Sequence, residues 1–254
     1  MKVTNIDSLN PFLKECYKIP IGKGTTAVCY LMKNGNVLKI FKDTYNTATL
    51  KRMYPNSIEH YSSFESIKND SYISPDELLI INGQVIAYIY KYVNAKTFKK
   101  ISYLTSLRDI FLSDAYKRLQ ENTFKASEKG FELYDSHDEN ILFDGTNFYN
   151  IDLDFSNVSS DIDIDKLYMQ NIRTIQNAMI YSLFNIKSIK KYNLYFNDEV
   201  LDKLYNLSIY HDDNQIKQLV EELEKRNVKT KFDVRTKKHF LARVEYNDYY
   251  NRFF

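Results

Sequence analysis

Residues 134–155 read YDSHDENILFDGTNFYNIDLDF, and they set carboxylates among side chains that belong inside a fold. Asp135, Asp138, Glu139, Asp144, Asp152 and Asp154 are interleaved with Ile141, Leu142, Phe143, Phe148, Ile151, Leu153 and Phe155. A carboxylate taken alone into an apolar interior costs several kcal/mol unless it is protonated, paired or metal-bound. A bound cation would resolve the conflict, and an all-oxygen ligand set suits a hard ion such as Mg²⁺. A second chemistry-bearing stretch is IGKGTTAVCYLMKNGNVLKIFK, residues 21–42. Glycines at a turn, here Gly22 and Gly24, let backbone amides approach phosphate oxygens closely, and Lys39 on the following hairpin would bring positive charge to them. A lone GxG is more often a plain structural turn, and lysines are common on solvated edge strands. Alternation, however, puts Lys39 on one face with Val37 and Phe41, and Leu38 and Ile40 on the other. That is not an obviously wet position.

These residues need elements to hold them. The chain has only six glycines, and three lie in the dipeptides Asn34-Gly35, Asn82-Gly83 and Asp144-Gly145. Each is flanked by β-rich runs, the strongest short hairpin signal because the tight turn needs positive φ. AVCYLM and NVLKIF flank the first, ELLII and QVIAYIYKYV the second, NILF and NFYNIDL the third. The pattern predicts strands to about residue 93, a long helix near 104–129, one hairpin, and then helices near 161–185, 198–209 and 213–226. Asp212 and Asp213 would cap the last, with Ile216, Leu219, Val220 and Leu223 at helical spacing.

The bulk properties narrow the function classes. The 254 residues carry 35 Lys plus Arg against 33 Asp plus Glu, a formal charge of +2, so no global field selects nucleic acid or an anionic membrane. The N-terminal MKVTNIDSLNPFLKECYKIP has no apolar core of a signal peptide, and no run suits a membrane span, so a cytoplasmic location is the expectation. Cys16 and Cys29 lack CxxC spacing and support neither a disulfide framework nor a zinc site. The basic stretch from Glu224 to Arg243 reads as a solvated surface, with docking of an acidic partner as the alternative.

Lys129-Gly130-Phe131-Glu132-Leu133-Tyr134-Asp135, followed by Asn140-Ile141-Leu142 and Ile151-Asp152, resembles the catalytic and metal-binding loops of the protein-kinase-like superfamily. The signature set of that superfamily is a Gly-rich loop, a strand lysine, an Asp with an Asn five residues on, and a metal-binding Asp. The match runs in order from Ile21 to about Ser156. The resemblance implies an α+β, two-lobed fold: a β-rich nucleotide-binding lobe with one helix over 1–93, and a helical lobe carrying the catalytic and metal loops over 94–254. It also implies ATP as phosphoryl donor and Mg²⁺ as cofactor. Asp135 would orient the acceptor hydroxyl, and Asn140 and Asp152 would hold the metal. Asp154 would be a further metal ligand or a loop-capping carboxylate. Lys39 would be paired with a helix glutamate, Glu59 by spacing or else Glu65. Lys91 and Val93 would offer backbone groups to the adenine, between walls that include Ile21, Ala27, Cys29, Val37 and Leu142; each taken alone is better explained as core packing, while together they would outline a nucleotide-sized cleft.

The motif around His137, D-x-H-x-x-N, is similar to that of aminoglycoside phosphotransferases and choline kinases, where the histidine would contact phosphate; a hydrogen-bonded loop histidine is the alternative. Leu133 and Tyr134 stand where His-Arg commonly precedes the catalytic Asp, and no Ala-Pro-Glu follows Phe155. A long phosphorylatable activation segment is therefore not expected. The acceptor would be a protein Ser/Thr hydroxyl, or else a small hydroxyl compound. A nucleotide-binding module without turnover is the reading from another class. No nucleic-acid partner is expected.

Overall fold

The computed structural model describes residues 1–42, 57–160 and 163–183, and it mixes α and β structure. The helices expected near 198–209 and 213–226, and the basic stretch from Glu224, lie outside the described residues. The chain forms two compact units. The first takes Met1–Asn94, Asn122–Asp135 and Tyr149–Leu167; the second takes Ala95–Glu121, Ser136–Phe148 and the chain from Tyr168. The sequence suggested one division near residue 93, whereas beyond Asn94 the chain alternates between units.

A six-stranded sheet organises the first unit. Its strands are β1 (Lys2–Asn5), β2 (Gly22–Lys23), β3 (Ala27–Leu31), β4 (Asn36–Phe41), β5 (Glu77–Ile81) and β6 (Gln84–Lys91), in the order β1-β5-β6-β4-β3-β2. β1 runs parallel to β5 and the other pairs are antiparallel. The Asn34-Gly35 and Asn82-Gly83 turns form as expected, and at the second both residues have positive φ, 51° and 76°, which suits the twist of a two-residue hairpin.

Register fixes the two faces of this sheet. Directly paired residues share a face, and one row, Val3, Leu78, Tyr88, Lys39, Cys29 and Gly22, crosses all six strands. The opposite face is apolar. Leu38, Leu79, Ala87 and Ile89 form a core there with Cys16 and Met32. Leu9 and Phe12, at and within the short helix α1 (Asn10–Lys14), pack against it.

On the Lys39 face the aromatic rings of Phe41, Tyr61 and Tyr88 meet one another, with centroids 5.5 to 6.0 Å apart. Tyr61 comes from α2 (Ile58–Ser63), whose N-terminus is capped by Ser57: its Oγ accepts from the His60 N–H at 3.1 Å. A 3₁₀ turn, Phe64–Ile67, follows and carries the aromatic packing on to Phe131. Phe131 lies in β8 (Phe131–Glu132), which pairs with β11 (Asn157–Val158).

In the second unit, β7 (Lys96–Thr97) pairs with β9 (Ile141–Phe143); β10 (Phe148–Asn150) follows in the chain as it passes from the second unit to the first. The Asp144-Gly145 turn closes on itself: Asp144 Oδ1 accepts from the Thr146 and Asn147 N–H groups, both at 2.7 Å. The long helix expected near 104–129 is replaced by α3 (Phe98–Ile101), α4 (Leu107–Phe111) and α5 (Asp114–Ser127). Two serines make the breaks. Ser106 and Asp109 exchange hydrogen bonds as a capping box that starts α4. Ser113 Oγ donates to the Ile110 carbonyl and accepts from the Tyr116 N–H, ending one helix and capping the next. The final described helix, α6 (Ile164–Leu183), falls within the range predicted for it. No helix among the described residues is long and apolar enough to cross a membrane.

Candidate functional site

The expectation of a buried lysine holds. Lys39 is 3% exposed, and its ammonium lies 5.3 Å from the Tyr88 ring centroid and 5.9 Å from that of Phe41. Such a charge needs partners, and the segment after β10 supplies two. Lys39 Nζ donates to Asp154 Oδ2 at 2.6 Å and makes a short contact to Asp152 Oδ1. Asp152 occupies the left-handed region, φ 61° and ψ 56°, and starts the 3₁₀ turn Leu153–Phe155. For a residue other than glycine that conformation costs about 1–2 kcal/mol, less for Asp, whose short polar side chain is among the few that visit it.

Asp154 is the anchor of this group. It is 1% exposed; Lys39 holds Oδ2, the Tyr88 hydroxyl donates to Oδ1 at 2.8 Å, and the backbone carbonyl lies 2.9 Å from His60 Nε2. Strands β4 and β6 and helix α2 thus converge on one residue. The carbonyl can only accept, so Nε2 must carry the hydrogen. Burial lowers the pKa of His60, with the Asp154 carbonyl working against that shift, so the neutral Nε2–H tautomer fits the site.

The same burial governs the charges. Desolvation pushes Asp154 up to about 6, while the Lys39 ammonium restrains the rise. Desolvation pulls Lys39 down, but the Asp154 and Asp152 carboxylates outweigh it and hold the ammonium above its usual range. Tyr88 is raised by burial and by the neighbouring Asp154 charge. The Lys39 ammonium thus sits between two carboxyl groups, those of Asp152 and Asp154.

Two expectations need correction. Lys39 is not paired with a helix glutamate. Glu59 points to solvent in the first turn of α2 and is stabilised in its charged form by its own backbone N–H and by Ser57. Glu65 bonds the Met1 amine. The physical reason is the orientation of α2, which turns His60 and Tyr61 toward the sheet and Glu59 away. Asp154 supplies the counter-ion instead. Nor does Asp154 fit as a metal ligand, because both of its oxygens are engaged and water is excluded. Asp152 does fit: its side chain is 36% exposed and only Oδ1 is committed to Lys39. Among the described residues, no group of three or more His, Cys, Asp or Glu side chains is arranged to hold a metal ion.

The remaining expected residues are spread over both units. In the first, Gly22 sits in β2 opposite Cys29, and the Gly24 N–H bonds the Ala27 carbonyl at 2.9 Å. Neither glycine has positive φ, and a Cβ there would meet only ordinary contacts, 3.7 Å from Cys29 and 3.8 Å from Ala27. The backbone does not require glycine at either position. Ile21 and Lys91 are exposed, and Val93 and Asp135 are half-buried. In the second unit, Asn140 is buried and its N–H bonds the His137 carbonyl at 2.9 Å; His137 is exposed, with Nδ1 accepting from the Glu139 N–H at 3.2 Å. Leu142 pairs with Thr97 in the β7–β9 ladder. Sequence reasoning missed Tyr88 and His60. The alternation in QVIAYIYKYV separates Tyr88 from Ala87 and Ile89, which hints at the face; nothing local marked His60.

No family model matches the chain, and no curated protein matches it significantly.

Proposed function

We propose that the chain is a two-lobed, protein-kinase-like phosphotransferase that moves the γ-phosphoryl group of ATP to a hydroxyl acceptor. The observation that carries this reading is the half-buried Lys39–Asp152 contact, which joins the strand lysine to the carboxylate expected at the metal. Structural convenience is a poor explanation for the Lys39–Asp154 pair beside it, since a hydrophobic replacement of a buried ion pair is often neutral or stabilising.

In this reading Lys39 faces the phosphates and Asp152, through its uncommitted oxygen, would hold Mg²⁺. Bound magnesium would neutralise charge that develops on the phosphate oxygens. Gly22 in β2 and Gly24 in the β2–β3 turn carry no side chain, so that phosphate can approach the backbone there. Asp135 orients the acceptor hydroxyl and receives its proton as the new P–O bond forms and ADP departs. A protein Ser/Thr hydroxyl is one acceptor class. A small hydroxyl compound is the second, favoured by how soon α6 begins, at Ile164, after Asp152. That leaves little chain for a protein-docking platform.

The test is transfer from radiolabelled ATP into a protein extract and a metabolite pool. Asp135→Ala is expected to lower transfer by roughly 10²-fold or more while sparing nucleotide binding, and Asp152→Ala to weaken Mg·ATP binding as well. Label confined to small molecules would reject a protein acceptor. Tight Mg·ATP binding with no transfer to any acceptor would make the chain a nucleotide-binding module.

A further inference from the structure

Lys39 lacks the helix glutamate that its position led us to expect, yet α2 still reaches it, by another route. His60 Nε2 donates to the Asp154 carbonyl at 2.9 Å, and the carboxylate of the same residue takes Lys39 at 2.6 Å. We propose that His60 is a positioning residue that couples α2 to the lysine through the body of Asp154. This rests on the phosphotransferase reading for its functional meaning, though not for its geometry.

The surroundings favour a fixed bond over an incidental one. The His60 ring is packed edge-on against Tyr61 and Phe64, with centroids 5.1 and 4.9 Å away, so it cannot swing freely. The backbone N–H of His60 is tied to Ser57 Oγ at the helix start. Tyr88 OH holds the far carboxylate oxygen at 2.8 Å. The side chain of Asp154 is therefore set by β4 and β6, whereas its backbone is set by α2. A shift of α2 would drag the carbonyl and rotate the carboxylate away from Lys39. A glutamate–lysine pair lets the helix act on the ammonium directly; here the helix acts on the counter-ion. Glu59, one residue earlier, is solvent-facing and has no part in it.

The decisive readout needs no nucleotide. Lys39 is nearly inaccessible, so its rate of labelling by an amine-acylating reagent, followed by mass spectrometry, reports whether Asp154 still holds it. His60→Ala is expected to raise Lys39 labelling several-fold. His60→Gln, whose amide N–H can replace Nε2–H, is expected to restore most of the protection. Affinity for a Mg²⁺ complex of a non-hydrolysable ATP analogue should fall about threefold to tenfold in His60→Ala, the equivalent of one hydrogen bond, and recover in His60→Gln. Nitrogen-15 NMR of the unmodified protein should find His60 as the Nε2–H tautomer. Unchanged Lys39 labelling in His60→Ala, equal labelling of the two variants at equal melting temperature, or an Nδ1–H tautomer would each overturn the proposal. Should His60→Ala fail to fold, His60→Gln and the tautomer still decide it. Absence of nucleotide binding by the unmodified protein would instead reject the phosphotransferase reading, leaving the labelling result to stand alone.

Discussion

Two lysines of one sheet meet carboxylates, and their settings differ. At its β1 edge, Lys2 Nζ donates to Glu77 at 2.7 Å, with the lysine side chain 68% exposed. At its centre, Lys39 meets Asp152 and Asp154 with its side chain 4% exposed. The lysine of the edge pair sits in water, and the contact is worth at most about 1 kcal/mol. The central group surrendered hydration that its own contacts barely repay, so removing one partner strands the others. The lesson is that burial, and not the mere presence of a lysine–carboxylate contact, sets what breaking one costs.

The largest expected effect follows. Asp154→Ala should destabilise the fold by roughly 3–5 kcal/mol, because it leaves the Lys39 ammonium buried against aromatic rings with only the half-exposed Asp152 as partner. Replacing both charges, as Lys39→Met with Asp154→Leu, should recover much of that loss. Urea denaturation of Lys39→Met, of Asp154→Leu and of the double variant measures the coupling. Additive losses would mean that the ion pair does not behave as one unit.

The glycines sharpen the same contrast between structure and function. Gly130 has φ 76°, and a Cβ there would come within 1.7 Å of the Ser159 carbonyl oxygen, which lies in the turn that its own carbonyl helps to hold. Gly130→Ala should therefore cost about 1–3 kcal/mol or more, through left-handed backbone strain and displacement of the β8–β11 connection. Gly24→Ala should leave stability unchanged or raise it by about 0.4–1 kcal/mol, since φ is ordinary and the space is open. If Gly24 faces phosphate, the same substitution weakens Mg·ATP binding. Thermal melts and nucleotide titrations on the two variants separate a glycine kept for the fold from one kept for a ligand.

How much of this was legible depended on range. The three hairpins and the burial of Lys39 were written locally, in Asn-Gly and Asp-Gly dipeptides and in the alternation of Val37, Lys39 and Phe41. The breaks around α4 were also written locally, as Ser106-x-x-Asp109 and Ser113, but apolar periodicity ran across them and masked the caps. β1 was not legible, because its parallel partner lies some 75 residues away and no pattern within Lys2–Asn5 names it. The convergence of His60 and Tyr88 on Asp154 is tertiary in the same sense. Spacing from Lys39 pointed to Glu59, but spacing does not report how a helix is rotated against a sheet, and a rotation of one residue brought His60 inward instead.

The edge pair provides the smallest and cleanest test. Burial pushes Glu77 up, but hydrogen bonds from Lys2 and from Thr4 Oγ, the latter at 2.6 Å, outweigh it and lower its pKa below the usual 4.5. A carboxylate held low in the folded state contributes stability that is present above its unfolded pKa and lost as pH falls through the folded one. Glu77→Gln should therefore melt below the unmodified protein at pH 7, by no more than a few degrees, and the gap should close as pH falls below about 4. Melting curves from pH 3 to pH 7 measure it. A gap that widened in acid would mean that desolvation, and not Lys2 and Thr4, governs Glu77, and the edge would then resemble the centre more than its exposure suggests.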